Sequence, residues 1–335
     1  MMQWVDDMLA AVRTKGLPVL SFPAIQKMGI TVRELIASSD LQARAMKLVA
    51  DATPRAAASV SMMDLSLEAE AFGSRIRVSN NEVPTVIGAI IEDEDDAEAL
   101  EVPRLGKGRT QVYIDAIEKA VQLIDDRPVF AGTIGPFSLA GRLLGVADAM
   151  VYCLEEPDMV HTVLDKATRF LIDYINAYKA VGANGVLMAE PLAGILSPDL
   201  EKAFSYPYVR RIVEATQTEE FLIGYHNCGN NTVRQIDSIL QNGCRILHFG
   251  NVIDMGEMVK KIPPDKLVMG NVDPAGQFRN GMPESVKAAT MELMQKCACR
   301  SNFIPSSGCD IPPLSPWENI MAFFEGIDAY YDSVG

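Results

Sequence analysis

The sequence predicts an α/β fold, a single (β/α)8 barrel over residues 1–335 with an N-terminal helical segment and an inserted β-hairpin. From about residue 111 onward, short apolar runs alternate with longer segments of helical period, the pattern of parallel strands joined by covering helices. Seven apolar runs, with residues 17–22 as an eighth, supply the number of strands a closed barrel needs. An open doubly wound sheet is the alternative, because periodicity does not register closure. With 48% hydrophobic and 22% charged residues and no low-complexity tract, the chain can bury a large core.

The elements follow in chain order. Residues 1–16 carry Asp6 and Asp7 and lack a continuous apolar stretch, so they do not read as a secretion signal. Residues 59–64 form the first clear strand. Residues 74–91 break the alternation: IRVS, then Asn80-Asn81, then a short apolar stretch with Pro84 read as a hairpin inserted after that strand. The acidic run from Glu92 to Glu101 reads as a solvated loop or helix start rather than a metal-binding tail. Helical segments are expected over 111–125, 158–181 and 284–297, the last behind Pro283, a favoured first helical residue. In the longest, Val160, Leu164, Ala167, Leu171, Tyr174, Tyr178 and Val181 make one buried stripe. The remaining strands are expected over 128–133, 185–189, 221–226, 245–249, 267–270 and 303–306. Between the first of these and its helix, Gly132 to Ser138 (GTIGPFS) is either a tight turn or a helix start whose free N–H groups hold an anion.

Thirty basic against 44 acidic side chains give a net charge of −14, without a basic cluster, which argues against a nucleic-acid partner. No apolar run reaches the roughly 18 residues of a membrane span, so a cytoplasmic protein without membrane insertion is expected. The stretch Arg104 to Arg109 (RLGKGR) has a phosphate-friendly composition but neither follows a strand nor has GxxxxGK[ST] spacing; it is a candidate contact only. Six cysteines without a secretory signal are expected to be reduced thiols.

The most informative residues are His226, Cys228 and Cys309. His226 and Cys228 end a strand in Tyr225-His226-Asn227-Cys228-Gly229-Asn230, and period-two alternation aims them the same way. Cys309 ends another strand 81 residues further on, and in a barrel such ends meet at one mouth. One imidazole and two thiolates suit tetrahedral Zn2+, with a fourth position left for substrate. Two thiolates neutralise the ion, which favours a nucleophilic bound thiol over activated water. The alternative is a core histidine beside two buried free cysteines. Cys153, Cys244, Cys297 and Cys299 read as packing residues, and His161 as a surface or packing residue of the long helix. His248, at another strand end, is a candidate mouth residue.

Three motifs carry a resemblance: HNCGN within 221–231, GNVDP at 270–274, and SSGCDIPP at 306–313 followed by Pro316-Trp317-Glu318-Asn319-Ile320. With Asp64, Glu68 to Gly73 and Gly135-Pro136-Phe137, they resemble the uroporphyrinogen decarboxylase superfamily. More narrowly, they look like its methylcobalamin:coenzyme M methyltransferase branch, from about residue 17 to the end. The resemblance implies a (β/α)8 barrel in which His226, Cys228 and Cys309 bind zinc and a thiolate takes a methyl group from methylcobalamin or a methylated corrinoid protein. It also implies a site role for Glu190, as a fourth ligand or proton acceptor. Asp64 falls where the decarboxylase has its pyrrole-binding aspartate. Residues 22–29, by contrast, contain none of the arginines that bind porphyrinogen carboxylates in that enzyme.

The sequence therefore predicts a zinc-dependent methyltransferase with a corrinoid protein and a small thiol, such as coenzyme M, as partners. Asn230, Asn251 and Asn271 are candidate substrate-orienting residues. The competing readings are metal-independent uroporphyrinogen decarboxylase and a non-catalytic corrinoid-protein partner.

Overall fold

The computed structural model describes residues 1–334. Its strands are β1 (Ser59–Val60), β2 (Arg75–Arg77), β3 (Thr85–Ile87), β4 (Val129–Ile134), β5 (Gly185–Ala189), β6 (Leu222–Asn227), β7 (Ile246–Phe249), β8 (Leu267–Val272) and β9 (Phe303–Ser307). Strands β1 and β4 to β9 pair in chain order, every pair parallel. The segment at residues 16–19 spans the seam between β9 and β1. Gly16 O accepts from the Ala57 amide at 2.8 Å, and the Leu17 amide donates to Pro305 O at 2.9 Å. Side chains complete the seam: Ser306 Oγ donates to Leu17 O at 2.6 Å and Ser307 Oγ accepts from the Val19 amide at 3.0 Å. Pro305 has no N–H to extend a ladder, so the expected eighth strand closes the TIM barrel without forming a regular strand.

Strand β1 is shorter than expected because the chain leaves the ladder beyond Ser61: the Met63 amide turns to Asp310 Oδ2 at 2.8 Å. The inserted hairpin forms as predicted, with Arg75 opposite Ile87 in an antiparallel pair. Its connecting loop is tied down by Asn80 O and Val78 O, which accept from the Val32 amide and the Arg33 guanidinium at 2.8 Å each. The acidic run becomes the helix Glu94–Ala99, and Asp93 caps it by accepting from the Asp96 amide at 2.9 Å.

Two apolar layers hold the fold. Between strands and helices, the stripe of the helix Pro157–Ala180 is buried along its length, while Val181, just past the helix end, is half-buried. Inside the barrel, Phe130, Leu187, Leu222, Ile246, Leu267 and Ile304 pack together. The N-terminal helix Met2–Ala10 plugs the barrel floor with Val5 and Met8. Trp4 donates its indole N–H to Ala57 O at 3.1 Å and stands 5.8 Å from the Phe130 ring. With the floor closed by apolar side chains, the strands' C-terminal ends are left as the open mouth, where barrel enzymes place their chemistry. Among the described residues, no single helix is long and apolar enough to cross a membrane.

Candidate metal centre

Register places the two histidines side by side. Ala189 pairs with His226 and His226 with His248 across β5, β6 and β7, and the two imidazole centroids stand 4.6 Å apart. His248 is fully buried, and its Nε2 lies 2.7 Å from Ser307 O, a carbonyl that can only accept. Nε2 therefore carries the proton and Nδ1 is a bare acceptor without a partner. Burial first, then the neighbouring His226, hold this imidazole well below its usual range, so it is neutral. His226 is 2% exposed, and neither of its ring nitrogens has a hydrogen-bond partner. Burying an imidazole with both nitrogens idle costs desolvation that nothing in the chain offsets.

Cys228 lies just beyond the end of β6, in a turn built by Asn227. Asn227 Oδ1 accepts from the Gly229 amide at 3.0 Å and from Thr232 Oγ1 at 2.9 Å. The room for Cys228 comes from Gly250: a Cβ there would stand 2.3 Å from Cys228 Cβ and 2.7 Å from its Cα. Cys309 follows Gly308, whose amide bonds Val272 O at 2.7 Å. The two half-buried thiols interact. Hydrogen bonding from Cys309 lowers Cys228 below the usual thiol range against the opposing effect of burial. The same bond and then burial push Cys309 up to about 12, while the adjacent His226 works in the other direction. The Cys309 thiol thus lies beside the His226 ring without making a hydrogen bond of ordinary geometry to it.

Next to these residues is a cavity of about 230 Å³, walled largely by apolar side chains and reached by His226, His248, Cys309 and Asp310. Val83, from the inserted hairpin's loop, forms part of the wall. Asp310 escaped the sequence reading although it adjoins Cys309. Its carboxyl is held well above the usual range, by burial first, and its Oδ1 is buried without a partner. No spacing rule marks such a residue; only the bond from Oδ2 back to Met63 reveals its position.

The other candidates sit elsewhere. Glu190 is fully buried but is not a wall of this cavity. Its carboxylate turns to the N-terminus of the helix Pro136–Leu144, accepting from the Ser138 amide at 3.0 Å and Ser205 Oγ at 3.2 Å. The position at which an anion is expected after GTIGPFS is thus taken by the chain's own Glu190 side chain, the residue the resemblance offers as a fourth ligand or proton acceptor. Burial outweighs these bonds and pushes the carboxyl up to about 8. Asp64 likewise does not reach the cavity: Arg109 Nη1, Tyr113 Oη and Ser66 Oγ contact its carboxylate at 2.5, 2.7 and 2.6 Å. Asn230 is exposed in a turn. Asn271 Nδ2 donates to Gly250 O and Ile253 O at 2.9 and 2.6 Å, and with Asn251 it lines a separate cavity of about 390 Å³. Cys153, Cys244 and Cys297 are buried as expected, but Cys299 is exposed. His161 packs on Phe204 and bonds Tyr208 Oη at 2.8 Å.

Among the described residues, no three His, Cys, Asp or Glu side chains are gathered into a finished metal shell. The donor set nevertheless fits zinc: an idle buried imidazole beside two free, half-buried thiols is a soft N/S set of the composition that ion takes. A sequence model described as uroporphyrinogen decarboxylase (URO-D) matches residues 17–330. The chain belongs to that family. Within it, the chain is 26% identical over 287 residues to a uroporphyrinogen decarboxylase of Coxiella burnetii, covering 82% of this chain and 77% of the relative. It is 27% identical over 271 residues to the methylcobamide:CoM methyltransferase MtbA of Methanosarcina mazei, covering 78% and 76%. A solved methyltransferase from Methanosarcina mazei superposes with a TM-score of 0.87 over 98% of both chains at 23% identity, which shows the family's barrel fold.

Proposed function

We propose that this family member is a zinc-dependent methyltransferase that moves a methyl group from a methylated corrinoid to a small thiol. The observation that carries the reading is the idle buried imidazole of His226 beside the free thiols of Cys228 and Cys309. These three residues would hold zinc, which when bound supplies a Lewis acid that makes an acceptor thiol ionise near neutral pH. The methyl-corrinoid is a substrate of this reaction. A lone pair on the acceptor sulfur forms the S–CH3 bond, the Co–C bond breaks with its pair left on cobalt, and the thiol proton passes to solvent.

The chain's own residues set the conditions for that transfer. Neutral His248, fixed by Ser307 O, adds no positive charge beside His226 and leaves that ring free to act as a ligand. The apolar wall of Val19, Met63, Leu65, Leu187 and Ala189 excludes water from the sulfur. At about 230 Å³ the cavity takes a thiol of a few heavy atoms, so a corrinoid would dock at the mouth, carried by a partner protein or free.

The test is metal content by plasma mass spectrometry on protein purified without added metal, with Cys309→Ser as control. The reading expects about one zinc per chain, lost in the variant. Protein that neither retains nor regains zinc sinks it.

The relative of Coxiella burnetii favours a second reading, metal-free decarboxylation of uroporphyrinogen. Against it stand a cavity too small for a porphyrinogen, without Lys or Arg among its described lining residues, and an Asp64 already engaged by Arg109, Tyr113 and Ser66.

A further inference from the structure

A cavity of about 260 Å³ opens where the inserted hairpin meets the end of the helix Pro136–Leu144. Gly88 and Ala89 wall it from the hairpin side, and Arg142, Gly145 and Asp148 from the helix side. The corner is held by Leu143 O, which accepts from the Ile90 and Ile91 amides at 2.9 and 3.2 Å.

Arg142 is half-buried in this corner, and among the described residues its guanidinium has neither an ion pair nor a hydrogen bond. Burial alone acts on it, lowering its pKa with no carboxylate to offset the cost. In a chain with 44 acidic side chains this is a departure. The buried guanidinium of Arg109 spans Asp64 and Glu70, and that of Arg127 binds Asp126 and Thr53 O. Asp148 lines the same cavity without pairing: it is exposed and stands in the first turn of the helix Val146–Glu155, where a carboxylate complements the free amides of the helix start.

A half-desolvated guanidinium with five unused donors is stabilised by an oxyanion from outside. The amides of Gly88, Ala89 and Gly145 add further donors along the cavity, since none of them donates to another group among the described residues. Gly145, at φ +90°, closes its helix without bonding back into it. Donors borne by two chain segments match a group with three or four oxygens better than a planar carboxylate. The cavity is also smaller than the roughly 300 Å³ at which drug-sized ligand pockets begin, which suits one compact group.

We propose that this cavity is a binding site for a tetrahedral oxyanion, a phosphate- or sulfate-class group, held by the Arg142 guanidinium and bridging the inserted hairpin to the helix that carries Arg142. The site needs no metal and goes beyond the methyl-transfer reading. It fastens the same hairpin whose loop supplies Val83 to the cavity beside His226.

The experiment is calorimetric titration of the full chain with inorganic phosphate, sulfate, methyl phosphate and acetate, at an ionic strength held constant with chloride. Phosphate and sulfate are expected to bind at about one site per chain, and acetate more weakly. Arg142→Leu is expected to weaken phosphate about ten- to hundredfold, the effect of one or two lost charge-assisted hydrogen bonds. Arg142→Lys should lose less, because it keeps the charge without the fork. Hydrogen exchange read on wild type should slow at residues 85–90 and 142–146 when phosphate is added. Methyl phosphate bound as tightly as phosphate makes the group the end of a larger ligand, and its exclusion makes the ligand a free ion; both outcomes keep the site. Phosphate heats no larger than those of chloride, or an unchanged affinity in folded Arg142→Leu, overturn the proposal. If that variant does not fold, the exchange measurement decides: phosphate that leaves both segments unprotected removes the site.

Discussion

A Cβ on Gly135 would stand 2.1 Å from Cγ of Glu190. The glycine between β4 and its helix therefore makes room for a carboxylate delivered by the next strand. Gly135→Ala must push that side chain off the Ser138 amide and Ser205 Oγ. Overpacking plus two lost buried hydrogen bonds is expected to cost roughly 2–4 kcal/mol. Urea unfolding measures it; a loss below about 0.5 kcal/mol would mean the turn relaxes freely.

The same carboxyl makes stability depend on pH. Burial raises Glu190 from 4.5 to about 8, so between those values the folded chain keeps a proton that the unfolded chain has lost. Its contribution is complete below pH 4.5 and is lost as pH rises toward about 8. Glu68 and Glu201, each pushed up to about 7 by burial, act in the same direction. Glu190→Gln should thus flatten the fall in stability between pH 5 and 8, by at most about 4 kcal/mol. Unfolding midpoints at a series of pH values read this; parallel curves for wild type and variant would contradict it.

Gly250 controls the candidate ligand set without donating to it. A methyl group 2.3 Å from Cys228 Cβ, and nearly as close to its backbone, cannot be absorbed by a rotamer change. Gly250→Ala is expected to lower zinc affinity by more than the roughly 10–100-fold typical of outer-shell changes, at a stability cost of about 1–3 kcal/mol. Competition with a chromophoric chelator gives the affinity, and a wild-type value would show that Cys228 is not a ligand.

These relationships mark how far the sequence was legible. Alternation located β4 to β9 within a residue or two, because strands buried on both faces are unbroken apolar runs. It also brought His226, Cys228 and Cys309 to one mouth, because parallel βα units put all strand ends on one side. It could not find the seam, where Ser306 and Ser307 replace ladder bonds that Pro305 cannot make, nor the two-residue β1, cut short by the bond from Met63 to Asp310. Both depend on partners about 250 to 290 residues away. Glu190 is legible only in part for a related reason. Its position at a strand end was legible, but which face its side chain takes was decided by the missing Cβ of Gly135.

Arg109 shows the same distinction between composition and placement. In RLGKGR it resembled a phosphate contact, yet its guanidinium spans Asp64 at 2.5 Å and Glu70 at 2.7 Å and is only 15% exposed. The Asp64 side chain is completely buried, so removing its cation leaves a charge relieved only by Tyr113 and Ser66. Arg109→Leu is therefore expected to destabilise by about 3 kcal/mol. Asp64→Asn should cost less alone, since the Arg109 guanidinium keeps Glu70 and a route to solvent. The double variant should recover about 1–3 kcal/mol relative to the sum, because it no longer buries an unpaired carboxylate. Zinc content should stay at the wild-type level in all three variants, as neither residue lines the cavity beside His226. Additive losses within about 0.5 kcal/mol would dissolve the pair as an energetic unit. Loss of zinc in a folded Arg109→Leu would return the segment to the site from which its geometry removes it.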